Sequence, residues 1–132
     1  KRGKQFRMLG AASRGECVMH FSRAHAMVHS VAAFREPFGL APVEAQLCGC
    51  PVIAWRNGAL PETVKDGHTG WLVDSFESLV NAIRMATWTG PAMGVPDWIR
   101  KECREWAMRF SVGAMVQRYE ALANEALQTG GW

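Results

Sequence analysis

Two rhythms of apolar residues alternate along the chain, and the switches between them mark out its elements. Gln5 to Leu9 alternates and stops at Gly10, which predicts a short strand running into a turn. From Arg14 to Ala24 the apolar positions Cys17, Val18 and Phe21 recur at helical spacing. Ala26 to Val31 is a short apolar run suited to a buried strand, followed by a loop through Arg35, Glu36 and Pro37. Gly39 opens a helical stretch to about Cys48, with Leu40, Val43 and Leu47 on one face and Pro42 tolerated in the first turn. Gly49 closes it. Pro51 to Trp55 is nearly continuous apolar sequence, as in strands that parallel sheets bury on both faces.

Asn57-Gly58 marks a turn, Pro61 to Lys65 reads as one or two helical turns, and Trp71 to Val73 reads as a third buried strand. Phe76 to about Trp88 is helical, with Leu79, Val80, Ile83 and Ala86 in step. Residues 89–96 hold two Gly and two Pro and form a loop. Two helices follow at about 97–109, with Asp97 as its cap, and 111–127, where Met115, Tyr119, Leu122 and Ala126 share a face. Strands and helices in alternation, joined by short connections, predict an α/β fold: a Rossmann-like, mostly parallel sheet with flanking helices. The expected organisation is a single partial domain, with an α/β core over 1–88 and C-terminal helices over 89–132. In such sheets ligands bind where strand ends lead into helix N-termini, which points to His29 through Glu44 and to an anion.

Composition narrows the function. The chain has 132 residues, 48% hydrophobic and 20% charged, enough for one globular domain. Its apolar runs are too short to span a bilayer, and no apolar segment follows the basic start as a signal peptide requires. The net charge of +3 conceals an asymmetry: residues 1–35 hold seven basic residues and one acid, the remainder eight basic and eleven acidic. The basic residues are dispersed and not interleaved with aromatics, so no nucleic-acid partner is expected. Cys17, Cys48, Cys50 and Cys103 lack zinc-site spacing and read as small buried hydrophobes in a reducing, cytoplasmic setting. His20, His25, His29 and His68 form no ligand pattern and read as structural or surface histidines. The six Trp and seven Met read as core and interface.

The chemistry is concentrated in residues 34–73, FREPFGLAPVEAQLCGCPVIAWRNGALPETVKDGHTGWLV. Glu36 and Glu44 are separated by seven intervening residues. Gly39, Leu40 and Ala41 would offer backbone N–H groups at a helix N-terminus. Glu44 lies about 6–8 Å into that helix at 1.5 Å per residue. Carboxylates bind vicinal hydroxyls through two accepting oxygens. Each feature has a plainer reading beside it. Glu44 could be solvated on an amphipathic helix, and Glu36 could cap its helix or pair with Arg35. Phe38 could pack in the core or line a pocket. Glu62 reads as the cap of its short helix, and Asp66-Gly67 and Thr69-Gly70 as turns.

This stretch, EPFGL…EA…CG-x-PVIA…G-x-x-PE-x-V-x-DG-x-TG-x-LV, resembles the donor-binding core of the retaining GT-B glycosyltransferases of group 1. The resemblance implies a transferase that takes a nucleotide-diphosphate sugar as donor, with no metal and no other cofactor. It implies that Glu36 acts on the donor sugar as the catalytic carboxylate and that Glu44 holds the nucleotide ribose. Phe38, Gly39, Leu40 and Ala41 complete the implied donor site. The family's early Arg/Lys pair, its first two strand–helix units and its N-terminal acceptor domain have no counterpart here. The chain is therefore expected to be an inactive part of a longer enzyme, with a homodimer possible through an exposed sheet edge. The alternative is a non-catalytic nucleotide-sugar-binding or protein-interaction module that retains the fold. A dinucleotide-binding dehydrogenase fails because no G-x-G-x-x-G follows a strand. The expected location is cytoplasmic, with a peripheral membrane contact left open, and the acceptor is not specified by these residues.

Overall fold

A computed structural model describes residues 7–30, 34–87 and 95–130. Three strands, β1 (Met27–His29), β2 (Val52–Trp55) and β3 (Gly70–Val73), form a parallel sheet in the order β1-β2-β3. Helix α1 (Arg14–Arg23) precedes β1, α2 (Leu40–Leu47) joins β1 to β2, and the short α3 (Leu60–Thr63) joins β2 to β3. Then follow α4 (Phe76–Thr87), α5 (Asp97–Ala107), a 3-10 turn at Met108–Phe110 and α6 (Val112–Thr129). This is the α/β architecture with a parallel sheet and flanking helices that the alternation of elements implied.

β2 is the central strand, and its apolar run is buried on both faces as its sequence required. Val52 and Ala54 join Ala45, Cys50, Leu60, Val64 and Leu72 in one core cluster, against which Phe21 of α1 packs. Ile53 faces the other way, into a cluster with Val73, Ala82 and Ala86 that includes the inner face of α4. The period-2 alternation of a strand thus sorts neighbouring residues into two cores. β1 has no partner strand on its outer edge among the described residues.

Local chemistry sets the helix ends. Ser13 and Glu16 form a reciprocal capping box at the start of α1, and the Ser13 hydroxyl holds the Glu16 carboxyl below its ordinary range. α2 ends in a Schellman motif: Gly49 N–H donates to Gln46 O at 2.8 Å and Cys50 N–H to Ala45 O at 3.0 Å. α5 packs across α2, and its Arg100 Nη1 donates to Ser22 O at 3.0 Å and Gly49 O at 3.3 Å, sealing two helix ends at once. Trp106 of α5 donates its indole N–H to Thr63 O at 3.0 Å, the carbonyl that also takes the amide of buried Gln46.

Several expectations change. Gln5 and Phe6 lie outside the described residues, and Arg7 to Leu9 form no strand; Met8 and Leu9 are exposed with no neighbouring strand to pair with. β1 is shorter than the 26–31 run, and Val31 is outside the described residues, as are Trp88 and most of the 89–96 loop. Pro96, not Asp97, is the N-cap of α5, and its helix gives way to a 3-10 turn at Met108. Leu40 and Leu47 do not share the buried face of α2 with Val43. That face is Pro42, Val43, Ala45 and Gln46, because small side chains let the helix sit close to the sheet. No described Trp or Met is fully buried; Trp98 and Met108 are exposed, while Trp55, Trp71 and Trp106 are half-buried.

Candidate functional site

The loop from β1 to α2 leaves the sheet at its carboxyl end and delivers Glu36 to the start of the helix. Gly39 is the N-cap of α2 with φ at +87°, a conformation that a side chain would strain, and it has no side-chain oxygen of its own to cap the turn. Glu36 supplies the missing acceptor: Gly39 N–H donates to its Oε1 at 3.0 Å. The negative carboxylate also meets the positive end of the helix dipole. Its Oε2 lies 3.5 Å from Nε2 of His29, the last residue of β1. The backbone of Glu36 is gripped separately, by Ala59 N–H donating to its carbonyl at 2.8 Å. Gly58, with φ at +53°, lies so close that a Cβ there would fall 2.7 Å from the Glu36 nitrogen and closer still to its carbonyl oxygen.

Of the plainer readings, capping is therefore real at Glu36, and the side chain facing its other oxygen is His29 in place of Arg35. One of the three N–H groups assigned to an anion is accordingly taken. Gly39 N–H serves Glu36, and the donors that remain for a ligand are those of Leu40 and Ala41, first-turn positions without intrahelical acceptors. Leu40 is well exposed, consistent with an open first turn.

Glu44 stands one turn further along α2, with its side chain about half exposed at 49%, and pairs with Arg14 Nη2 at 3.3 Å. The two flank a 150 Å³ cleft between α1 and α2 that Val18, Phe21, Leu47 and Cys48 also line. An ion pair this exposed is worth little and opens readily. Phe38 is exposed and belongs to neither core cluster. It packs edge-to-face on Phe110 with ring centroids 5.9 Å apart, and it lines a 260 Å³ cleft with Arg109, Met115, Tyr119 and Leu122. The Met115, Tyr119 and Leu122 stripe of α6 therefore borders that cleft instead of a closed core.

The structure brings to the site residues to which sequence reasoning gave no role there: His29, read as a structural or surface histidine at the edge of the 29–44 segment, the Gly58-Ala59 turn and Arg14. The one available signal was the placement of His29 at the end of a strand and of Arg14 at the start of a helix. Glu62 does not cap α3; the N-cap is Ala59, without a side-chain hydrogen bond. Asp66 does more than turn the chain, since it accepts from Leu72 N–H at 2.9 Å and pairs with Arg56, which also reaches Asp74 at 3.4 Å. Among the described residues no group of three or more His, Cys, Asp or Glu side chains is gathered for a metal ion, and no helix is long and apolar enough to cross a membrane.

Comparison with known proteins identifies the family. The family model described as "Glycosyl transferases group 1" matches residues 1–87. D-inositol 3-phosphate glycosyltransferase from Corynebacterium glutamicum is 35% identical over 129 residues, covering 94% of this chain and 29% of that protein. The enzyme of the same name from Thermobifida fusca is 47% identical over 60 residues, covering 46% of this chain and 14% of its own length. Among solved structures, sucrose-phosphate synthase from Thermosynechococcus elongatus superposes with a TM-score of 0.61 at 32% identity, covering 80% of this chain and 26% of that one. The chain thus spans less than a third of the relatives it matches. With a parallel α/β sheet and a family match across two thirds of its residues, the chain belongs to the group 1 glycosyltransferases.

Proposed function

We propose that this chain is the donor-binding part of a retaining glycosyltransferase that uses a nucleotide-diphosphate sugar. The observation that carries the reading is the pair of carboxylates, Glu36 and Glu44, on either side of the first turn of α2 at the carboxyl end of a parallel sheet. In this reading Glu44 leaves Arg14 to accept hydrogen bonds from both ribose hydroxyls, and the α1–α2 cleft takes the nucleoside. The Leu40 and Ala41 amides and the helix dipole hold the diphosphate, whose negative charge grows as the sugar departs. Glu36 accepts from hydroxyls of the donor sugar, with Phe38 beside it. The donor requires no metal in this scheme.

The acceptor site, the rest of the diphosphate electrostatics and the N-terminal domain lie outside these residues, so the isolated chain binds donor without transferring it. A cytoplasmic location and self-association through the outer edge of β1 belong to the same proposal. A binding module without turnover is the second reading, favoured by one observation: the chain's own Gly39 and His29 engage both Glu36 oxygens. The test is a ligand-observed NMR titration with UDP, GDP, ADP and their sugar conjugates, repeated on Glu44→Ala. Selective binding abolished by the substitution supports the proposal. A folded wild-type chain that binds none of them, or a variant that binds equally well, sinks it.

A further inference from the structure

Among the described residues, His29 is a largely buried polar side chain beside the candidate carboxylate with one ring nitrogen unaccounted for. Its side chain is 12% exposed, at the end of β1, and its Nδ1 is buried without a hydrogen-bond partner among the described residues. A buried, unsatisfied ring nitrogen costs stability, and such a cost in a folded chain calls for an explanation. The other nitrogen, Nε2, faces Oε2 of Glu36 at 3.5 Å. We infer that His29 is a positioning residue for Glu36, and through it for the donor sugar; this rests on the donor-binding reading above.

The geometry gives His29 a task that no other contact performs. Gly39 N–H fixes Oε1, and Ala59 N–H and Gly58 fix the Glu36 backbone, but the carboxylate can still swing about its terminal torsion. His29 supplies the second point on Oε2, and two points define the plane of a carboxylate. With one lone pair of Oε1 given to Gly39 and one of Oε2 facing His29, each oxygen keeps a lone pair in a fixed direction to meet a sugar hydroxyl. The proton of a neutral His29 belongs on Nε2 in this arrangement, leaving Nδ1 bare, since only Nε2 has an acceptor in reach. His29 acts on the sugar and not on the nucleotide, because Glu44 and its cleft lie a helical turn away against α1.

Two measurements on the full chain test this. The first is an imidazole nitrogen spectrum of the uniformly labelled protein, with and without Glu36→Gln. The expected result is a His29 proton on Nε2 in the wild type and a displaced Nε2 signal in the variant. A proton on Nδ1, or a His29 spectrum indifferent to Glu36→Gln, overturns the inference, and this arm needs no ligand. The second compares affinity for a nucleoside diphosphate with affinity for its sugar conjugate in the wild type, His29→Leu and His29→Gln. The glutamine keeps an N–H donor near the Nε2 position. His29→Leu is expected to weaken the sugar conjugate by about fivefold or more relative to the bare nucleotide, and His29→Gln to recover most of it. Equal losses for both ligands, or no recovery by Gln in a variant with a native amide spectrum, mean a merely structural histidine. If the wild type binds no nucleotide, the donor-binding reading fails, and the claim that His29 positions Glu36 is decided by the imidazole arm.

Discussion

Gly58→Ala is the substitution whose effect follows most directly from the coordinates. Two costs add. The first is conformational: φ at this position is +53°, a left-handed region that costs an L-residue roughly 1–2 kcal/mol. The second is contact. The new methyl would sit against the Glu36 backbone, 2.7 Å from its nitrogen, so the 57–59 turn must retreat and the hydrogen bond from Ala59 N–H to Glu36 O at 2.8 Å is lost or stretched. A net hydrogen bond is worth about 0.5–1.5 kcal/mol. Together the loss is about 1.5–3.5 kcal/mol, within what a domain of this size survives. Gly67→Ala provides the control, because Gly67 has φ at +75° but nothing within 4 Å of where a Cβ would stand, so only the same conformational cost of roughly 1–2 kcal/mol applies. Urea unfolding followed by tryptophan fluorescence and circular dichroism measures both variants. Gly58→Ala should lower the midpoint clearly more than Gly67→Ala, with the m-value unchanged. Equal midpoints would show that the turn does not grip Glu36.

Two further outcomes rest on titratable groups. Burial pushes the Asp66 carboxyl up, but the Leu72 N–H, the Arg56 guanidinium and the Gly67 N–H together hold it below its ordinary value. A carboxyl that is more acidic folded than unfolded gives stability that is complete above the unfolded value of about 4 and is lost as pH falls through the folded value. Asp66→Asn should therefore be less stable than wild type at neutral pH and show a shallower loss below about pH 4; an identical acid limb refutes this assignment. Burial pushes the Cys50 thiol up to about 11 and the Cys103 thiol up to about 12, while Cys17 and Cys48 are half-buried. A thiol reagent at pH 8 should label Cys17 and Cys48 in the native chain and all four cysteines only in denaturant, read by peptide mass. Native labelling of Cys50 at the rate of Cys17 would contradict the packing.

Local grammar carried the elements and much less of their company. The Pro42-tolerant, Gly49-closed helix was legible because caps and breakers act over a few residues. The buried stripe of α2 was not, since periodicity marks two possible faces and the preference for Pro42 and Ala45 over Leu40 arises only when the sheet approaches closely. Glu36 and Glu44 were visible as a spaced pair, whereas their partners were not. His29 and Ala59 meet Glu36 through the turn of the sheet, and Arg14 meets Glu44 from 30 residues away. The 3-10 turn at Met108 was equally hidden, because the apolar rhythm of α5 runs on through it to Phe110, whose ring supports Phe38.

The double seal made by Arg100 has a bearing on how the chain comes into being. Its guanidinium bonds to Ser22, 78 residues earlier, and to Gly49, 51 residues earlier. On a ribosome, where the chain emerges from its N-terminal end, the carboxyl ends of α1 and α2 stay open until α5 has been made. The parallel sheet is itself a set of delayed pairings, since each strand must wait for a crossover to be completed. During that interval the apolar side of α2 that α5 later covers is exposed, which is the condition under which nascent chains aggregate or recruit chaperones. A pause in translation before α5 would therefore lengthen the vulnerable period, and a synonymous change that speeds this stretch would shorten it without altering a single residue of the folded protein.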